Sequence, residues 1–355
     1  MNQSSRRRSR ILVGSLAVAL PLALSACSGD QQSADPTAAA PGGECPADPV
    51  NVVVSVDQWG DIVSQLGGAC ANVTTVLAGS SVDPHDYEPA PSDAAAFDGA
   101  QLVVVNGGHY DEWATKLAAS SAPDAPVINA LVASGADDHE HAGESHDHAG
   151  EGHDHAGEDH DHAGEDHDHA GDGHDHAGEP NPHVWYNPTA VTAVSDAVTA
   201  ELEKLSPDAA DYFDQRHEAF VESLKPYDDA IASLQAGAAG RTYAATESVF
   251  DDMASAIGLQ NRTPAGYQVS SANETDPSPA DLDAFLRLLG DRGVDVLIYN
   301  SQTEGSMPQQ IRAAAEQAGV PVVEVTETVP PGVDSFETWQ VGQLDALAEA
   351  LGVGS

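Results

Sequence analysis

Seven short runs of apolar and β-branched residues set the architecture: VNVVVSV (50–56), VTTVL (73–77), LVVVN (102–106), PVIN (126–129), RTYAAT (241–246), VDVLIYN (294–300) and PVVEV (321–325). Runs this short and continuous read as strands buried on both faces. The segments between them carry helical signals instead. Gln58 to Leu66 ends in Gly67-Gly68, Ser92 can cap a short helix, and Asp111 to Ala118 follows the third run. Later come Glu247 to Gly258, a Ser278-Pro279 start followed by Leu282, Phe285, Leu286 and Leu289, then Pro308 to Ala318, and a last helix carrying Val341, Leu344, Ala348 and Leu351. Strands alternating with helices dictate an α/β fold built on mostly parallel sheet. The runs fall into two groups separated by more than a hundred residues, so the chain reads as two lobes.

Part of that gap is helical. Val191, Val194, Val198, Leu202 and Leu205 share one helix face, and Ser206-Pro207 starts another with Phe213, Phe220, Leu224, Tyr227, Ile231 and Leu234. Pro226 should kink or break this second helix, because it lacks an N–H and its ring clashes with the preceding turn. The stretch 191–238 is therefore a helical connector between an N-terminal lobe at 50–190 and a C-terminal lobe at 239–355.

The rest of the gap cannot fold. From Asp137 to Glu179 lie sixteen Asp or Glu, no Lys or Arg, and twelve of the chain's 16 histidines. HEHAGES begins at His139, and HDHAG units follow at His146, His153, His160, His167 and His174; the second histidine of each unit is His141, His148, His155, His162, His169 or His176. The period is seven, but no position is apolar enough for a coiled-coil seam. The expectation for 137–180 is a solvated, disordered loop within the first lobe, able to bind metal weakly through its imidazoles.

The N-terminus is a processing signal. Arg6, Arg7, Arg8 and Arg10 precede an apolar run from Ile11 to Leu24, too short for a confident membrane span and closed by Leu24-Ser25-Ala26-Cys27. This resembles a bacterial lipobox, which implies cleavage after residue 26 and lipidation of Cys27; an ordinary signal peptide with a chance cysteine is the alternative. Residues 27–49 then form a tether, its first part rich in Gln, Ala, Pro and Gly. Export leaves Cys45 and Cys70 in an oxidising compartment, where they form either a disulfide closing a loop of about 25 residues or two free thiols. The mature chain keeps nine Lys and Arg against 57 Asp and Glu, a formal charge near −48. Such a surface repels nucleic acid and attracts divalent cations.

Two Pro-His loops stand out, VDPHDYEP with His85 and NPHVWYNP with His183. In each, proline restricts the backbone beside an imidazole. With NGGHYDEW, the His-rich tract and the Ser278-Pro279 helix, they make the chain, from about Val50 to Leu351, similar to the zinc/manganese family of solute-binding lipoproteins that serve bacterial metal ABC importers. The resemblance implies two Rossmann-like α/β lobes, a rigid linking helix, and one metal between the lobes with two ligands from each. Carried over, His85 and His183 are the N-terminal ligands. Glu247, in ATESVFDDMA, takes the third position. The fourth falls in Asn300-Ser301-Gln302-Thr303-Glu304, where relatives often show E-S-S-V-D, so Glu304 replaces the Asp. His109 could reach the site behind these ligands. Trp59, Trp113, Trp185 and Trp339 read as core or inter-lobe packing.

Two imidazoles and two carboxylates neutralise a divalent ion. The carboxylates lean towards Mn2+, whereas the imidazole-rich tract leans towards Zn2+, and zinc is the expectation with manganese the alternative. The implied protein is a monomer, lipid-anchored at the outer face of the cytoplasmic membrane, whose partner is an ABC permease. A zinc buffer acting through the tract is a second reading. A metallohydrolase is the third, disfavoured because all four ligand places are filled by protein and HExxH is absent.

Overall fold

A computed structural model describes residues 43–79, 85, 87–135, 180–273, 275–303 and 305–354. The expectations for the leader, Cys27, the histidine repeats and Glu304 lie outside the described residues.

The first lobe runs β1 (Val50–Val56), α1 (Asp57–Gly67), β2 (Ala71–Leu77), α2 (Pro91–Ala96), β3 (Leu102–Val105), α3 (Glu112–Ser121), β4 (Val127–Asn129) and α4 (Ala130–Ala133). Its sheet is parallel throughout, in the order β2-β1-β3-β4. The pleat of β1 explains its three consecutive valines, Val52, Val53 and Val54. Val52, Val54 and Val56 face Trp59, Ile62 and Val63 of α1, while Val53 packs with Val103, Phe97, Ala114 and Ala118 on the other side. The short helix begins at Pro91 rather than at a Ser92 cap, because Asp93 reaches back to accept the Ala90 N–H at 2.6 Å.

Helix α5 (Pro188–Leu205) follows, then α6 (Ala210–Ser223) and α7 (Lys225–Ala238). The two halves of the expected long helix part at Leu224, where Pro226, within the first turn of α7, cannot donate to the preceding turn. The break has a use. Helix α6 packs on α1 of the first lobe and on α5, whereas α7 packs against the helices Asp251–Ile257 and Phe336–Leu351 of the second lobe. Phe213, Phe220, Tyr227, Ile231 and Leu234 are all buried along this route, in an apolar core continuous from one lobe into the other. The lobes are thus joined by a packed strut rather than by a free linker.

The second lobe contains β5 (Thr242–Ala245), α8 (Asp251–Ile257), β6 (Gln260–Asn261), α9 (Ala265–Ala272), α10 (Pro279–Gly290), β7 (Val296–Asn300), α11 (Ser306–Ala318), β8 (Val322–Val325) and α12 (Phe336–Leu351). Its sheet, β6-β5-β7-β8, is also parallel and repeats the strand order of the first. Helix α8 starts at Asp251, four residues later than the pattern suggests, so Glu247 sits in the loop beyond β5. Cys45 and Cys70 are joined in a disulfide with Cα atoms 5.0 Å apart, tying the segment before β1 to the turn after α1. No helix among the described residues is long and apolar enough to cross a membrane.

Candidate metal centre

In open parallel sheets, ligands gather beyond the carboxyl ends of the strands, and the chemistry here does the same. His85 lies in the segment between β2 and α2. Glu247 and Glu327 each stand two residues past a strand end, after Ala245 of β5 and Val325 of β8. His183 comes just before the 3-10 turn Val184–Tyr186 that leads into α5.

Three of these side chains converge. His85 Nε2 is 3.2 Å from His183 Nε2, and Glu327 Oε2 is 3.5 Å from the first and 3.7 Å from the second. Two imidazole lone pairs this close repel unless a proton or a cation lies between them. The point equidistant from the three atoms lies about 2.0 Å from each, which is the length of a zinc–nitrogen or zinc–oxygen bond, about 2.0–2.2 Å. Among the described residues this trio is the one group of three His, Cys, Asp or Glu side chains disposed to hold a metal.

The surroundings fix these side chains. His183 is buried, and its Nδ1 lies 2.8 Å from Asn181 Oδ1. A carbonyl oxygen can only accept, so Nδ1 carries the proton and Nε2 offers its lone pair to the site. Asn181 also donates to the Ser248 carbonyl at 3.0 Å, tying this histidine's holder to the other lobe. Behind the loop, Trp59 donates to Asn106 Oδ1 at 2.9 Å and Asn106 donates to the Pro182 carbonyl at 2.8 Å. Asp111 accepts the N–H groups of Asn106 and Gly107. Gly107 is required there: its φ is +88°, and a Cβ would lie 2.1 Å from Asn129 Oδ1. Tyr110 stacks edgewise on both imidazoles, with centroids 4.9 Å from His85 and 5.9 Å from His183.

On the opposite side, Asn300 donates from Nδ2 to Glu327 Oε1 at 2.7 Å and also to Glu247 Oε2. One amide therefore holds two buried carboxylates side by side. Burial and the neighbouring Glu327 charge push Glu247 up to about 7. Glu327 moves the other way, because His183 and His85 outweigh its own burial and hold it well below the usual carboxylate range. Gln302 Oε1 accepts the backbone N–H of Glu327 at 2.6 Å and of Thr328 at 3.0 Å.

Of the residues singled out in the sequence, His85 and His183 meet, Glu247 stands beside the trio through Asn300, and Glu304 is outside the described residues. Glu327 was missed. It is one acid among 57, and no proline–histidine frame marks it. The signal was positional: like Glu247, it sits two residues beyond a strand, just ahead of the turn Pro330-Pro331-Gly332. His109 does not reach the centre. It is half-exposed and pairs with Glu112 at 3.1 Å, and its neighbour Tyr110 points inwards instead. His217 sits against Asp196 at 2.9 Å on the α5–α6 surface. Trp59 and Trp185 are fully buried, Trp339 nearly so, and Trp113 partly.

Comparison with known proteins follows the same lines. The family model described as zinc-uptake complex component A, periplasmic, matches residues 52–350. The high-affinity zinc uptake system protein ZnuA of Bacillus subtilis is 26% identical over 284 residues, covering 79% of this chain and 81% of that protein. The zinc-binding lipoprotein AdcA of Streptococcus pneumoniae is 26% identical over 317 residues, covering 84% of this chain but 55% of its own length. The manganese-binding lipoprotein MntA of Halalkalibacterium halodurans is 31% identical over 87 residues, 23% of this chain and 29% of its own. Among solved structures, the periplasmic zinc-binding protein TroA of Treponema pallidum aligns with a TM-score of 0.64 at 18% identity, covering 86% of this chain and 99% of that one. FpvC of Pseudomonas aeruginosa, in complex with Mn2+, aligns at 0.62 and 21% identity over 86% and 99%. At these identities the structural matches speak for the fold.

Proposed function

The chain belongs to the family of periplasmic zinc-uptake component A proteins, and we propose that it captures Zn2+ between its lobes and delivers it to the permease of a metal ABC importer. It is a metal-binding solute-binding protein of the ZnuA/TroA type and not an enzyme. The observation that carries the zinc reading is the triangle of His85 Nε2, His183 Nε2 and Glu327 Oε2, whose sides of 3.2, 3.5 and 3.7 Å suit an ion bonded at about 2.0–2.2 Å. Glu247 supplies the fourth ligand once a cation draws it to the ionised form. Two neutral imidazoles and two carboxylates then cancel the charge of the ion. Ligands from both lobes mean that the metal binds the closed arrangement more tightly than any open one.

In this reading Glu327 takes the place assigned from the sequence to Glu304. The tract with its twelve imidazoles is an auxiliary collector that raises the local zinc concentration near His183. Lipidation at Cys27 keeps the protein at the outer face of the membrane, in keeping with the lipoproteins among its relatives. Competition decides the metal. Protein lacking residues 139–178, equilibrated with equal free zinc and manganese and then analysed for metal content, should retain one zinc per chain. Retention of manganese instead would overturn the zinc assignment.

A further inference from the structure

Asp57 and Asp61 lie one turn apart on α1 and face the loop that follows Glu327 in the other lobe. Asp57 Oδ1 accepts the Val329 N–H at 3.3 Å, and its Oδ2 accepts the Gly79 N–H at 2.7 Å. Val329 is two residues from Glu327. Gly79 lies at the root of the segment that carries His85. One carboxylate therefore ties together the roots of two ligand-bearing loops from different lobes. Asp61 Oδ2 accepts the Phe336 N–H at 2.7 Å and the Gln65 amide at 2.8 Å. Phe336 opens α12, so Asp61 satisfies an N–H at the positive end of a helix in the opposite lobe. Between these anchor points the segment Val329–Ser335 arches over a groove of about 330 Å3, floored by Gly60, Ser64 and Thr75 of the first lobe.

We propose that Asp57 is a positioning residue, an interlobe latch that fixes Glu327 against His85 and His183 and so governs how long the metal is held. The inference rests on the reading of those three residues as the metal centre. The second lobe holds Glu327 through Asn300 and Gln302, and the Tyr186 hydroxyl from the first lobe donates to the Thr326 carbonyl at 2.7 Å on the strand side. On the far side of Glu327 the first lobe's nearest grip is the Asp57 bond to Val329, two residues away, whereas Asp61 holds Phe336, nine residues away. Metal release requires the lobes to separate, and separation breaks the bond to Val329.

The two aspartates differ in a way that makes the idea testable. Asp57 spends one oxygen on each lobe, so an amide in its place must turn an NH2 towards one of two N–H donors. Asp61 uses a single oxygen for both partners, so an asparagine can keep both bonds. Full-length protein loaded with one equivalent of zinc is mixed with excess chelator, and the slow phase of release is timed. Asp57→Asn should bind the same single zinc but release it about tenfold faster, the loss of a hydrogen bond to a charged group. Asp61→Asn should stay within about threefold of the parent. The thermal midpoint of the metal-free protein is measured alongside, since a residue that merely supports its own lobe would lower that midpoint and leave release unchanged. Release from Asp57→Asn within about twofold of the parent, or equal acceleration in both variants, overturns the latch. A parent protein whose slow phase survives His183→Ala would show that the centre itself is misassigned, and the latch would fall with it.

Discussion

The two lobes share a strand order and bring different groups to the candidate metal centre. The first presents imidazoles, braced by aromatic rings and by buried hydrogen bonds through Asn106, Asp111 and Asn181. The second presents carboxylates, paired through the single amide of Asn300. Imidazoles cost little to bury, so the first lobe can hold its ligands rigidly in the absence of metal. Two adjacent buried carboxylates cannot both stay ionised without a counter-charge, and burial together with Glu327 raises Glu247 to about 7 while the histidines keep Glu327 charged. The first lobe is a preformed half-site. On the proposed reading, the second is completed by the cation.

That contrast can be broken outright by removing a histidine. His183→Ala should weaken zinc binding by roughly 100- to 1000-fold, a quarter or so of the energy of a four-ligand site, measured by competition with a chelator of known affinity. If each lobe contributes as described, Glu327→Gln should cost nearly as much and Glu247→Gln clearly less, because Glu327 is the carboxylate already charged and aimed at the imidazoles. Equal losses from the two glutamates would mean that the second lobe binds symmetrically. The supporting amides come next. Asn181→Ala and Asn300→Ala should each lower affinity by about 10- to 100-fold without changing stoichiometry, as expected for groups that orient ligands.

A finer test uses protons. In the metal-free protein Glu247 is protonated below about 7 and ionised above it, whereas the bound metal needs the carboxylate. Zinc affinity should therefore fall as pH drops through 7. Glu247→Gln should flatten this dependence near pH 7. Isothermal titration in buffers of different ionisation enthalpy would report the protons released.

How much of this was legible differed between the lobes for the same physical reasons. Strands β1, β3 and β7 stand out because each carries three or more consecutive apolar residues buried on both faces. Strand β6 does not, since Gln260 and Asn261 are two exposed polar residues at a sheet edge. Helix α9 also went unread; Tyr267 is its one buried residue, so no apolar stripe announces it. His85 and His183 could be found because histidine is scarce outside the repeats and each follows a proline. Glu327 could not, because an acid in a chain with 57 of them carries almost no information until the sheet places it.

The smallest expected effect concerns the second lobe's acids away from the centre. Burial raises Asp251 to about 6, despite the hydroxyl of Tyr243. The folded state then binds more protons than the unfolded one between about 4 and 6, so this group's stabilising contribution is full below about 4 and is lost as pH rises through 6. Asp251→Asn should raise the thermal stability of the metal-free protein at pH 7 by on the order of 2 kcal/mol and leave it nearly unchanged at pH 4.

The central claim is one metal held jointly by His85, His183, Glu247 and Glu327. X-ray absorption on the zinc complex of protein lacking residues 139–178 tests it most directly, with Glu327→Gln compared in parallel. The account predicts one zinc per chain with two imidazole nitrogens and carboxylate oxygens at about 2.0–2.2 Å, and loss of an oxygen ligand in Glu327→Gln. A deletion protein that binds no zinc, or a Glu327→Gln spectrum identical to the parent's, would contradict it.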